Sequence, residues 1–205
     1  MNGSFRGKNS NSNYYLDVLE TQLNEECERI HLNQIKGLEE VTEKLRKAEA
    51  LVIGMPLYVD GVPAQVVEFM EKMCQNYKGQ CQNLRVYVVS NLGFYESKQI
   101  RIQLKIVKNW CNKMGMIYGG GLAIGAGEML GGMNNVPINQ GPNKQLGEGI
   151  GKLAAAITKR ECIVDIYVEP SYFPRAFFML AANMSWGRNV QKDGLTKKDL
   201  YKRLV

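Results

Sequence analysis

The apolar run Leu51-Val52-Ile53-Gly54-Met55, ended by Pro56, constrains this chain more than any other stretch. It does not alternate polar with apolar, so a strand built from it needs cover on both faces. Helical patterns stand on either side. Val66, Val67, Met70, Met73, Cys74 and Tyr77 follow at helical spacing, with Pro63 where a first turn tolerates it. Arg85–Val89 reads as a second strand, breaking at Ser90-Asn91-Leu92-Gly93. Ile100, Leu104, Val107, Cys111 and Met114 mark a further amphipathic helix, stopped at Gly115. Leu122-Ala123-Ile124 is the strand core of the glycine-dense stretch 116–127, and Leu146, Ile150, Leu153 and Ile157 lie on a helix from about Pro142 to Lys159. Upstream, a helix over about 13–26 carries Tyr15, Leu16, Leu19 and Leu23, Arg29–Leu32 is a short strand candidate, and a charged helix covers Val41–Ala48. Strands that alternate with helices in this way predict an α/β fold, a doubly wound parallel sheet.

At 205 residues, with 45% hydrophobic and 22% charged residues, the chain is one domain with an ordinary globular composition. No apolar run approaches the roughly 18–20 residues that span a bilayer. The opening residues lack the basic-then-apolar pattern of an export signal, and the five cysteines form no C-x-x-C pair. A reducing cytoplasm is therefore expected. Much of the net charge of +6 comes from the end of the chain, where six basic residues from Arg188 to Arg203 face Asp193 and Asp199. Tyr201 is the single aromatic among these charges and no groove-reading element accompanies it, so a nucleic-acid face is not expected. The tail reads as a solvated helix or a weak contact for something acidic.

In an open parallel sheet, ligands bind where loops leave the carboxyl ends of the strands. Three loops fall there. Asn2–Ser12 packs glycine, hydroxyl, amide and guanidinium groups immediately before a helix, a combination suited to a phosphate. Pro56-Leu57-Tyr58-Val59-Asp60-Gly61 offers a proline-fixed backbone and a ring to lie along a flat heterocycle, and Ser90–Glu96 adds a hydroxyl, an amide and a close-approach glycine. A phosphate pocket beside an aromatic slot suits a flavin mononucleotide (FMN) better than a sugar phosphate. Read alone, Tyr58 is equally a turn aromatic packed on its own loop, and Asn91 plain turn chemistry. Gly125–Gly141 is a long connection of open role, with a lid as one option.

These loops resemble the NADPH-dependent FMN reductase family of flavodoxin-like proteins. The resemblance rests on Gly3-Ser4-x-Arg6 with Asn9-Ser10-Asn11-Ser12, on Gly54-x-Pro56-Leu57-Tyr58 continuing to Pro63-Ala64-Gln65, and on the Ser90–Gly93 turn. It covers residues 1–160 and implies strand order 2-1-3-4-5, with 161–205 as a C-terminal strand and helix extension. It further implies FMN as cofactor and NAD(P)H as co-substrate. Hydride passes through flavin to a flavin, a quinone or a similar small-molecule acceptor. Ser4, Arg6, Asn11 and Ser12 are the implied phosphate ligands; Pro56, Leu57, Tyr58 and Val59 flank the ring; Asn91 and Gly93 form its second wall. A homodimer is implied, with Ala176–Met184 as a candidate contact.

The flavin carries the chemistry, so no catalytic side chain is named, and no metal-ligand spacing is present. His31, the only histidine, is not expected to act as a base. The alternative is a flavodoxin-type FMN carrier without NAD(P)H activity, against which the basic charge counts. A third reading is a flavin-free module that keeps only the fold. In one respect the chain departs from the family: only Met1 and Asn2 precede Gly3, where an apolar first strand belongs. Omitting a central strand exposes two edges. We therefore expect a native product about five to eight residues longer, mostly Val, Ile or Leu; the less favoured option is that Cys162–Val168 fills the slot.

Overall fold

A computed structural model describes residues 1–23, 25–133, 135–192, 194–196, 199 and 202. Asp193, Lys197, Lys198 and Arg203 of the basic tail lie outside the described residues, as do Asn24 and Asn134 of two expected segments.

Among the described residues, four parallel strands form the sheet in the order β1 (Ala50–Pro56), β2 (Arg85–Asn91), β3 (Ile117–Ile124) and β4 (Ile166–Val168). Asn2 bridges in parallel to Gly54 on one side and to His31 on the other. Residues 1–3 thus stand where a first strand belongs, and 30–32 where a second does. With those two short segments counted, the order is the expected 2-1-3-4-5, extended by β4. β4 pairs with β3 at the far edge, so Cys162–Val168 does not fill the slot beside β1.

Strand alternation divides the core in two. Val86 and Val88 of β2 face one apolar cluster with Ile53, Phe69, Met73, Leu104 and Trp110. Tyr87 and Val89 face the other, with Tyr15, Leu19, Leu146, Ile150 and Leu153. Helices α2 (Leu38–Lys47), α3 (Ala64–Asn76) and α4 (Arg101–Met114) therefore cover the first face, and α1 (Asn11–Glu20) and α6 (Lys144–Lys159) the second. Each large buried side chain stabilises this arrangement by roughly 1.5–3 kcal/mol.

Some boundaries differ from those expected. The first helix ends at Glu20 rather than near 26, and Arg29–Leu32 makes a single bridge instead of a strand. The Gly125–Gly141 connection contains a short helix, α5 (Gly127–Gly132), whose three glycines and single turn and a half leave no helical period to read. The last strand covers Ile166–Val168 only, and the apolar segment at 176–184 belongs to the longer helix α7 (Arg175–Lys192). No helix among the described residues is long and apolar enough to cross a membrane.

Candidate functional site

The first loop is shaped by a residue that sequence reasoning passed over. The Asn2 side chain is fully buried; its amide donates to the Gly7 carbonyl at 2.9 Å and its oxygen accepts from the Ser4 N–H at 2.9 Å. Ser10 caps α1, its Oγ accepting from the Asn13 N–H at 3.1 Å and donating to the Gly7 carbonyl at 2.7 Å. The backbone N–H groups of Asn11 and Ser12 open the helix and find no protein acceptor among the described residues. Ser4 and Ser12 are buried, whereas Arg6 is exposed and forms no ion pair among the described residues. Free helix-start N–H groups, the buried Ser4 hydroxyl and an unpaired guanidinium are the donors an anion requires.

Asn91 ties the three loops together. Its side-chain oxygen accepts from Ser12 Oγ at 2.8 Å, and its carbonyl accepts from the Leu57 N–H at 2.8 Å. Gln65, at the start of α3, donates to the Gly3 carbonyl at 2.7 Å, so the Pro-Ala-Gln segment buttresses the first loop. Asn11 lies against α5: a Cβ added at Gly131 would stand 2.9 Å from its side-chain oxygen. Gly93 faces Glu128 of the same helix, and the Gly127 N–H donates to the Leu92 carbonyl at 2.7 Å. Pro56 is buried, Leu57 is half-buried, and Gly93 is exposed at the cleft. All three expected loops thus meet at one edge of the sheet.

The second loop is a two-residue hairpin. Tyr58 and Gly61 exchange backbone hydrogen bonds around Val59 at φ 47° and Asp60 at φ 55°. Positive φ at both central residues is the type I′ pattern, which favours Asn and Gly and opposes a β-branched residue. Val59 is nevertheless there, fully solvent-exposed. Strain of this kind persists where a surrounding site needs the side chain. Val59→Gly is expected to raise stability by roughly 0.5–1 kcal/mol, seen as a higher urea midpoint. Phe5, Tyr58 and Phe94 also expose large parts of their rings around the same rim.

Behind the hairpin lies Gln103 of α4, wholly buried. Its amide donates to the Pro56 carbonyl at 3.0 Å and the Gly61 carbonyl at 3.3 Å, while its oxygen accepts from Ser90 Oγ. Sequence reasoning missed it. The signal was its place on the apolar stripe, between Ile100 and Leu104. Tyr15 supports the other side, donating to the Gly127 carbonyl at 2.5 Å, and burial pushes its phenol well above the usual range. His31 stands behind the first loop, its pKa lowered by burial and then by the nearby Lys8 and Arg29 charges. It is therefore neutral at neutral pH.

The family model for NADPH-dependent FMN reductase matches residues 1–128, which include all three loops. The chain belongs to that family. This FMN reductase family member is an FMN-dependent NAD(P)H oxidoreductase, with FMN as cofactor. Three solved structures are similar in fold. The Trp repressor binding protein of Bacillus subtilis shares 20% identity over 59% of this chain and 79% of its own, with a TM-score of 0.49. An NADPH-quinone reductase from P. pentosaceus shares 14% identity over 74% and 89%, with a TM-score of 0.48. An FMN-dependent NADH-azoreductase from Bacillus anthracis, solved with FMN, shares 14% identity over 77% and 97%, with a TM-score of 0.46. No curated protein matches the chain.

Proposed function

We propose that the first loop binds the FMN phosphate through Ser4, Arg6, Asn11 and Ser12. On this reading, Pro56, Leu57, Tyr58 and Val59 flank the flavin ring, and Asn91 and Gly93 wall it from the other side. The convergence of Ser12, Leu57 and Asn91 carries the proposal, because it brings anion donors and a ring-sized rim into one cleft. The free N–H groups of Asn11 and Ser12, with the unpaired Arg6, fit a dianionic phosphate. Bound FMN supplies the hydride-accepting ring. The chain's own residues hold it, orient one face toward the open rim and keep water from the other. A flavin, a quinone or a similar small acceptor is the proposed electron sink. A cytoplasmic location is part of the same reading, as is a homodimer joined through α7 of the 161–205 extension, where Phe177, Leu180, Met184 and Trp186 are exposed.

Ser4→Ala and Arg6→Ala are each expected to weaken FMN binding about 10- to 100-fold, the worth of one hydrogen bond to a charged group. Quenching of flavin fluorescence on titration measures this. Unchanged affinity in both variants would reject the phosphate assignment. NADPH oxidation by the FMN-loaded protein, compared across flavin, quinone and azo acceptors, tests the electron sink.

A further inference from the structure

Glu169 lies beyond the residues that the family model matches, yet it grips the third loop of the candidate site. It stands just past β4, at the same carboxyl edge of the sheet as the three candidate loops. Its Oε1 accepts twice from Ser97, from the backbone N–H at 3.0 Å and from Oγ at 2.5 Å. Ser97 is wholly buried and opens the helical turn Ser97–Ile100, which runs directly into α4. A carboxylate at this point answers free N–H groups and faces the positive end of the helix.

Two walls of the cleft hang from that point. Residues 93–96 lead from Asn91 and Gly93 straight into Ser97, and α4 carries Gln103, whose amide holds the 57–61 hairpin. The loop is pressed from one side by the turn after β3. The Ala126 N–H donates to the Phe94 carbonyl at 2.5 Å, and a Cβ added at Gly125 would overlap the Tyr95 carbonyl. From the other side, Tyr95 donates to the Phe173 carbonyl at 3.0 Å and Glu96 pairs with Arg175. Burial, then the Glu169 and Glu96 charges, raise the Tyr95 phenol above its ordinary pKa, so it remains a donor. The Glu96–Arg175 pair is exposed, and water can replace it. The two Ser97 donors are buried and have no other acceptor among the described residues. Glu169 is itself fixed: the Gly125 N–H donates to the Val168 carbonyl at 2.8 Å, and the Glu169 N–H to the Gln145 side chain at 3.4 Å.

We propose that Glu169 is a positioning residue for flavin binding. By holding Ser97 it sets the wall at Asn91 and Gly93 and, through α4, the hairpin opposite. The inference rests on the reading that these two loops flank the flavin ring, and it assigns Glu169 to the ring rather than to the phosphate.

The test titrates the flavin-free full-length chain with FMN and with riboflavin, which lacks the phosphate, and follows flavin fluorescence. Glu169→Ala is expected to weaken both flavins alike, by at least about tenfold. Glu169→Gln keeps an acceptor oxygen for Ser97 and is expected to stay within about threefold of the wild type. Arg6→Ala, by contrast, weakens FMN alone. Ile157→Ala, a buried change near the other end of α6 from Gln145, lowers stability generally and is expected to leave both affinities unchanged. Wild-type affinity of Glu169→Ala for both flavins overturns the proposal, as does a loss confined to FMN or an equal loss in Ile157→Ala. If Glu169→Ala does not fold, Ser97→Ala carries the same comparison: it loses only the Oγ bond, and a loss of about threefold for both flavins is expected, with no loss overturning the proposal. Weakened FMN binding in Ser4→Ala and Arg6→Ala beside an unchanged Glu169→Ala overturns this assignment alone. No loss in any of the three overturns the cofactor site on which it rests.

Discussion

Replacing Gln103 with leucine is expected to lower the unfolding free energy by about 3–5 kcal/mol and to abolish measurable FMN binding. The side chain is wholly buried and serves two elements at once. Leucine fills a similar volume but strands the Ser90 hydroxyl and the Pro56 carbonyl in the protein interior, each at about 1–3 kcal/mol. The Gly61 carbonyl, nearer the surface, loses a partner that water partly replaces. The same change frees the 57–61 hairpin from α4, so the strained turn at Val59 loses the support that holds it. Urea unfolding measures the first effect and flavin fluorescence the second.

Gln103→Glu separates the two roles. Glutamate still accepts from Ser90 but turns a carboxylate toward two carbonyl oxygens, so burial and repulsion raise its pKa. A group whose pKa is raised on folding stabilises the fold below its unfolded pKa, and that contribution disappears as pH rises through the folded value. The variant should therefore approach wild-type stability and FMN affinity in acid, where the protonated carboxyl donates to Pro56, and lose both toward neutral pH. A Gln103→Glu protein that binds FMN equally well at every pH would show that the hairpin does not depend on this amide.

Where side chains repeat with a period, the fold was legible in the sequence. Leu51–Met55 had to be covered on both faces, and α2, α3 and α1 cover it. Gly115, at φ 75°, ends α4 where its left-handed conformation was needed. The site was legible as loops, because Gly-Ser-x-Arg, Pro-Leu-Tyr and Ser-Asn-Leu-Gly are dense in groups that bind. Two kinds of feature escaped. Asn2 and Gln103 act through burial, and burial of one polar side chain follows from tertiary packing rather than local pattern. The α5 helix escaped because Gly127–Gly132 has low helical propensity and is held by Tyr15 and by the Leu92–Phe94 backbone instead.

For a chain that starts at Met1, stability is also expected to rise by roughly 4 kcal/mol between pH 5 and pH 8, through one amino group. Burial, reinforced by the Arg29 charge and opposed by Cys27 and Glu20, lowers the pKa of the Met1 amine from 8.0 to about 5. Across that interval the unfolded chain binds a proton that the folded chain does not. Stability therefore increases with pH, at up to about 1.4 kcal/mol per pH unit, and levels off above pH 8. Below pH 5 both states are protonated and the full cost remains. His31, also lowered by burial, adds to the slope in the same direction near neutrality. The carboxylates of Glu40 and Glu96, held low by Lys44 and Arg175, lose their contribution only at more acid pH and stand outside this interval. Acetylating the amino terminus removes the titrating group while keeping an N–H for the Val52 carbonyl. The acetylated chain should then show only the small His31 slope in urea midpoints taken from pH 5 to 8. An undiminished slope after acetylation would place the titration elsewhere than at the Met1 nitrogen, which donates to the Val52 carbonyl at 2.8 Å.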